Sequence, residues 1–366
     1  MCVASIIVAL NNEFELTENF INNINQVTNE DIEKIIVVDG MNDINSIKYL
    51  EELDQSKSDY HCIFLDNNIG YSKANNIGVD FSNSELLIFL NSDTFPIEDS
   101  LYRMIDYMNK HTDVGVCQGL ILYPQTLQVQ STGHIFSCYQ SAHALDGNYI
   151  NNPLVLKEQE RQALGSGFYI TRKSLFLNEN GFDEFYYNAW EGLEYSLKIH
   201  LKGLKCMYIP NAKAYHIKSS GRSRMVRNET YQAGYFWSKW GGRIKEDISN
   251  IYLKQLSQDS LKFTYILVQA SSMKYNAWET FLDKLSFKIL LIHEIKLSFS
   301  KKQISLEDSL PQSIIESHHP LIFLTDDYSY IINNKRIFNY RSNKNDIILD
   351  LKGNVIMPFI YHNLGS

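Results

Sequence analysis

Glu85-Leu-Leu-Ile-Phe-Leu-Asn-Ser-Asp-Thr94 sets five apolar residues directly before a cluster of short polar side chains. The apolar run is too short for a typical helix and reads as a buried strand of a parallel sheet. Asp93, just past its end, offers a hard oxygen suited to a divalent cation that also takes phosphate oxygens. The plainer reading makes Asp93 or Thr94 the N-cap of a following helix. Further along, Trp190-Glu-Gly-Leu-Glu194 places two carboxylates three residues apart. On a helix Glu191 and Glu194 share a face, and one of them at the helix start can take a proton from an acceptor hydroxyl. Otherwise both cap the helix and face solvent. Trp190 offers a flat surface for a sugar ring. His216 ends a strand-like run and leads into a small-residue loop with Arg222, Arg224 and Arg227. A neutral imidazole binds a divalent cation, and arginine clamps phosphate. The loop's glycine and serines let it close over a nucleotide. Gly165-Ser-Gly167 either lets the backbone pass close to a ligand or makes a plain bend.

These groups need a scaffold that gathers them. Short apolar runs at residues 5–9, 34–38, 61–65 and 86–90 alternate with helix-like stretches at 15–27, 44–55 and 71–79. Four alternations within about 95 residues predict a parallel, doubly wound sheet. Each strand ends in a polar, acid-bearing turn, and in such sheets those ends share one edge. Asp39, Asp43, Asp66 and Asp93 then surround one crevice, where carboxylates accept hydrogen bonds from a base or ribose. Asp, Asn and Gly are also ordinary turn residues. No GxGxxG follows the first strand and no GxxxxGK[ST] occurs, which argues against a standard dinucleotide enzyme or a P-loop kinase. Residues 114–118, 120–123 and 168–171 read as further strands. Residues 125–160 are polar and irregular, the pattern of a functional loop. A helix over 190–202 buries Leu193, Leu197 and Leu201, and residues 203–210 form a turn and an edge strand.

The 366 residues suffice for one large domain or two smaller ones. A 44% hydrophobic content with 23 Tyr and 19 Phe argues against disorder. Net charge is −8, which disfavours a nucleic-acid partner. Residues 1–240 carry 19 basic and 29 acidic groups, while the remainder carry 15 and 13. An acidic first part repels a nucleotide phosphate, so a cation or local basic residues are needed there. Five cysteines without a CxxC pair suit free thiols and a reducing compartment. No signal peptide and no apolar stretch of about 18 residues is visible. The expectation is a cytoplasmic protein, with peripheral contact at the inner face of the membrane left open.

Taken in order, these motifs resemble the family 2 glycosyltransferases of the GT-A fold. The resemblance rests on residues 5–12, on Val37-Val-Asp39 with Asp43, and on Asp66-Asn-Asn-Ile-Gly-Tyr-Ser-Lys-Ala-Asn-Asn-Ile-Gly78. It continues through Leu90-Asn-Ser-Asp-Thr94, Gly181-Phe-Asp-Glu184, residues 191–198 and His216, covering about residues 1–240. It implies an α/β fold whose Rossmann-like, mostly parallel sheet binds a nucleotide sugar. It further implies that Asp39 contacts the base, that Asp93 is the metal-binding end of a DxD-like motif, and that His216 lies near metal and diphosphate. The implied donor-binding set is Ala9, Asn11, Asp39, Asp43, Asp66, Asn68, Gly70, Lys73, Asn91, Ser92, Arg222 and Arg224. Asp93 and His216 hold Mn2+ or Mg2+, Glu191 and then Glu194 are the candidate bases, and Trp190 and Gly165 meet the acceptor. Two departures stand out: Asn91 replaces the first DxD acid, and Glu191-Gly192 replaces the family's usual Glu-Asp pair.

The resemblance implies an inverting transfer from a nucleotide diphosphate sugar, UDP- before dTDP-, to a hydroxyl of a glycan, lipid-linked glycan or glycoprotein. Residues 190–196 are also similar to a stretch of the polypeptide N-acetylgalactosaminyltransferases, which retain stereochemistry. A non-catalytic nucleotide-sugar scaffold is the alternative if Gly192 has cost the base, and a nucleotidyltransferase lacks its Gly- and Arg-rich loop here. Residues 241–366 read as a separate extension with acceptor-binding or assembly role: amphipathic helices over 250–300, then hairpins at 329–340 and 346–357. A homo-oligomer is left open.

Overall fold

The computed structural model describes residues 2–41, 43–137, 140–152, 154–217, 226–245 and 316, and the strands at 265–269, 290–291, 321–325, 347–349 and 355–358. Contacts divide the chain into two units, residues 1–135 with 143–244, and residues 136–142 with 245–366.

The first unit opens with β1 (Ala4–Leu10), α1 (Phe14–Val27), β2 (Ile32–Asp39), α2 (Ile44–Ser56), β3 (Tyr60–Leu65), α3 (Tyr71–Phe81) and β4 (Leu86–Leu90). β3, β2, β1 and β4 lie side by side and all pair in parallel. β2 and β4 are buried throughout, as parallel strands covered on both faces must be. Side chains alternate along each strand, so one sequence feeds two cores. Ile6, Val8, Ile36 and Ile88 pack with Phe20 and Ile21 of α1 and Leu50 of α2. Ile7, Ile35, Leu87 and Phe89 pack on the other face with Val79 of α3.

Beyond β4 come β5 (Thr94–Pro96), α4 (Ser100–Lys110), β6 (Val114–Leu122), β7 (Val129–Ser131), β8 (His134–Ser137), β9 (Gln140–His143), β10 (Gln159–Arg161), β11 (Phe168–Arg172), α5 (Lys173–Asn178), α6 (Glu191–Leu201), β12 (Lys205–His216) and α7 (Val226–Trp240). The sheet has ten strands, with β11 antiparallel between β4 and β6, and β12 parallel to β6. Helices α5 and α6 cover the same face as α3 through Phe176, Tyr195 and Ile199.

Several local expectations change. Residues 114–118 and 120–122 are one strand that runs through Gly119, where Phe168 and the Ala212 carbonyl leave no room for a Cβ. Residues 203–210 do not end on an edge: β12 runs on to His216 between β10 and β6, and Pro210 falls at a register shift where its missing N–H is tolerated. The stretch 125–160 holds four short strands rather than an irregular loop. Leu201 is 39% exposed, and Ile199 takes its place in the core.

In the second unit, β13 (Tyr265–Gln269) is parallel to both β14 (Leu290–Leu291) and β15 (Leu321–Thr325). β15 is parallel to β16 (Ile347–Leu349), which forms an antiparallel pair with β17 (Val355–Pro358). The helical expectation for 250–300 therefore fails at Tyr265–Gln269, an apolar run short and β-branched enough to prefer a strand. The 346–357 hairpin is present as β16 and β17, and the one expected at 329–340 lies outside the described residues.

Candidate active site

Pairing between β5 and β12 sets Thr94 opposite His216 and brings together residues far apart in the chain. The Ile217 N–H donates to the Asp93 carbonyl at 3.0 Å. The side chains then meet, with His216 Nε2 3.0 Å from Asp93 Oδ1 and both largely buried. Gln130 of β7 grips the same histidine twice. Its Nε2 donates to the His216 carbonyl at 3.3 Å, which leaves Oε1 to accept from Nδ1. A histidine whose Nδ1–H is engaged turns the Nε2 lone pair outward, the arrangement metal-bound histidines adopt. A carboxylate oxygen and an imidazole nitrogen at this separation fit a divalent cation of the Mn2+ or Mg2+ kind. Among the described residues no third His, Cys, Asp or Glu joins them, so such an ion would draw further ligands from phosphate and water.

The turns after β1, β2 and β3 are tied into the same rim. Asn11 Nδ2 donates to the Asp39 carbonyl at 2.9 Å, and Asn12 Nδ2 to the Ser92 carbonyl at 3.2 Å. The Asp39 carboxylate accepts from the N–H groups of Ile69 (2.7 Å) and Gly70 (3.2 Å), which pins the 66–70 turn. Burial pushes the Asp39 carboxyl above its ordinary range against these two hydrogen bonds. Gly70 has φ +91°, and a Cβ there would strike Tyr187. The Tyr187 hydroxyl donates to Asn68 Oδ1, so this half-exposed ring stands over the turn.

The remaining donor-side candidates divide. Asn91 N–H donates to the Gly167 carbonyl at 3.1 Å, which joins the end of β4 to the 165–167 turn. Ala9 is half-buried in β1 at the same end of the sheet. Asp43 caps α2, accepting from the Asn45 N–H and the Ser46 hydroxyl. Asp66, in the turn after β3, and Lys73, on α3, are exposed. Arg222 and Arg224 lie outside the described residues.

Glu191 begins α6. Its Oε1 accepts from Ser166 Oγ at 2.8 Å and its Oε2 from the Ala189 N–H at 2.8 Å. Burial is the main influence on this carboxyl and raises it above the ordinary value, with those hydrogen bonds pulling the other way. Ala189 and Trp190 both have positive φ, +143° and +74°, immediately before it. Two non-glycine residues in such conformations are backbone strain of the kind functional sites hold. Trp190 packs on Phe236 of α7 with ring centroids 5.0 Å apart. Gly165 donates its N–H to Gln118 Oε1 at 3.0 Å and lies beside His134, whose burial pushes its imidazole down to about 4.

Glu194 faces elsewhere. It is 1% exposed, and Lys239 Nζ of α7 lies 2.6 Å from its Oε1. It therefore holds α7 in place, leaving Glu191 as the carboxylate nearer the rim. Tyr71 links the two chemical corners. Its hydroxyl donates to the Ser166 carbonyl at 3.2 Å, and it is close enough to Glu191 and Asp93 to feel both charges. Asp39, Asp93, His216 and Glu191 thus border one rim, through Gly70, Tyr71 and Ser166. Gln130, Ser166, Tyr71 and Tyr187 were not among the residues singled out from the sequence; only the glycines flanking Ser166 marked its position.

Residues 5–176 match the family model for glycosyl transferase family 2. Among solved structures, the chain is similar to GalNAc-T7 with UDP, GalNAc and Mn2+, with TM-score 0.50, 13% identity, and coverage of 58% of this chain and 43% of that one. It is also similar to the mannosyltransferase PcManGT of Pyrobaculum calidifontis in complex with GDP-Man and Mn2+, with TM-score 0.50, 15% identity, and coverage of 66% and 65%. The likeness is one of fold, and the chain spans less than two thirds of either structure. No curated protein matches the sequence. No helix among the described residues is long and apolar enough to cross a membrane.

Proposed function

We propose that the protein, whose residues 5–176 match the family model for glycosyl transferase family 2 and whose first unit has the GT-A fold, moves a sugar from a nucleotide diphosphate sugar to an acceptor hydroxyl with inversion. The observation that carries this reading is the Asp93–His216 pair, 3.0 Å apart, on the same rim as the buried Glu191. Asp93 and His216 would hold a Mn2+ or Mg2+ ion, which when bound offsets the charge gathering on the departing diphosphate. Asp39, Asn68 and Gly70 line the side where a uracil or thymine base and its ribose would lie. Glu191 accepts the proton of the acceptor hydroxyl as its oxygen bonds to the anomeric carbon. The bond from that carbon to the diphosphate oxygen breaks on the opposite face, and nucleoside diphosphate leaves. A carboxyl raised by burial is a stronger base once ionised. Trp190, braced on Phe236, offers a flat face to the acceptor sugar.

One observation favours the scaffold reading instead: Glu191 is only 6% exposed and both of its oxygens already accept hydrogen bonds. The test is release of nucleoside diphosphate from a panel of UDP- and dTDP-sugars, with Mn2+ or with chelator. The enzyme reading expects metal-dependent release that falls about a hundredfold or more in Glu191→Gln and is lost in Asp93→Ala. Donor binding without turnover would support a scaffold, and undiminished turnover in Glu191→Gln would remove Glu191 as base.

A further inference from the structure

The place that a side chain at residue 192 would fill is already taken. A Cβ built on Gly192 would lie 2.4 Å from Ser166 Cβ, 2.5 Å from its backbone nitrogen and 2.6 Å from Oγ. Ser166 therefore sits in the notch that glycine opens at the start of α6. From there its hydroxyl reaches Glu191 Oε1 at 2.8 Å. Ser166 is itself fixed, 7% exposed and with its carbonyl accepting from Tyr71 Oη at 3.2 Å. The Ala189 N–H holds the other carboxylate oxygen from the strained approach to the helix. Of these supports, the Ser166 hydroxyl is the buried one that comes from a distant segment of the chain.

We propose that Ser166 is a positioning residue for Glu191, and that glycine at 192 is what admits it. The proposal rests on the reading of Glu191 as base. A hydroxyl that donates to the ionised carboxylate favours that form and fixes which oxygen points outward. Tyr71 of α3 and Tyr169 of β11 are the titratable groups that face Glu191 from neighbouring elements, and Asp93 acts on Tyr71. Burial keeps both phenols protonated, so neither supplies a charge that titrates near neutrality. The pair Ser166 and Gly192 thereby replaces a second acid with a neutral donor. The base becomes one buried carboxylate tuned by one side-chain hydroxyl, with the Ala189 N–H on its other oxygen.

The experiment measures the pH profile of kcat/KM for Mn2+-dependent nucleoside diphosphate release from the best UDP- or dTDP-sugar of the panel. It compares the full chain with Ser166→Ala, Ser166→Cys and Glu191→Gln. Removing the hydroxyl leaves a smaller side chain in the same notch, so the fold is expected to stand, with circular dichroism as the check. The sign follows from the hydrogen bond: its loss raises the folded-state value of Glu191. The acid limb should move up by about one pH unit in Ser166→Ala, with kcat falling roughly tenfold and KM for the donor unchanged. Ser166→Cys, a weaker donor, should fall between. An unmoved or downward limb in a folded Ser166→Ala protein would overturn the proposal. Glu191→Gln keeps the two failures apart: its limb should vanish, and a limb that persists there overturns the base assignment and this proposal with it.

Discussion

Asp93, His216 and Glu191 are each ordinary residue types, and what separates them from turn residues is what holds them. Gln130 uses both ends of its amide on His216. We predict that Gln130→Ala weakens Mn2+ binding roughly 10- to 100-fold by calorimetry, as loss of an orienting partner does, with the fold intact. Glu191 carries a second prediction. Its carboxyl is raised in the folded state above the ordinary 4.5, so the native protein binds the extra proton and stability falls as pH rises through that window. Glu191→Gln should therefore melt higher than the parent at pH 7.5, with the difference fading at pH 4.5 and below. The residue types of the site could be read from the sequence, since acids past apolar runs stand out. Gln130 and Ser166 could not, because their meaning comes from the pairing of both β7 and β12 with β6 and from the notch at Gly192.

At the scale of elements, two attachments shape the rim. The 66–70 turn hangs on the Asp39 carboxylate through two N–H groups. Asp39→Ala should cost about 2 kcal/mol in urea unfolding, the scale of losing hydrogen bonds to a charged acceptor. Helix α7 is fastened to α6 and to the loop before it by Lys239, which lies 2.9 Å from Asp183 Oδ2 and 2.6 Å from Glu194 Oε1, and by Tyr235, which donates to Asp183. Lys239→Met would strand Glu194, almost fully buried, without its cation. Breaking such a pair is expensive when both partners are buried, but Lys239 is 36% exposed. We expect a loss of about 2 kcal/mol, measured by the same unfolding. The strand–helix alternation of the first 90 residues was legible because period and strand ends agree. The partners of α7 were not legible, since Asp183 and Glu194 lie more than 40 residues from Lys239 in the chain.

At the scale of the whole molecule, the first unit is an α/β sheet whose acid-bearing turns meet at one rim, as a doubly wound topology requires. The antiparallel insertion of β11 was not foreseen, because an apolar strand of five residues does not announce its direction. The second unit has more parallel pairing than its short apolar runs suggested. Ligand linkage tests the rim as a whole. Mn2+ with UDP at a hundred times the dissociation constant should stabilise the protein by about 2.7 kcal/mol, and the gain should be absent in Asp93→Ala. The most direct measurement is the position of the ion itself, by anomalous scattering from crystals grown with Mn2+ and UDP. One strong peak is expected between Asp93 Oδ1 and His216 Nε2, with diphosphate oxygens completing its shell. Bound UDP with that position empty, or Mn2+ held by other side chains, would contradict it.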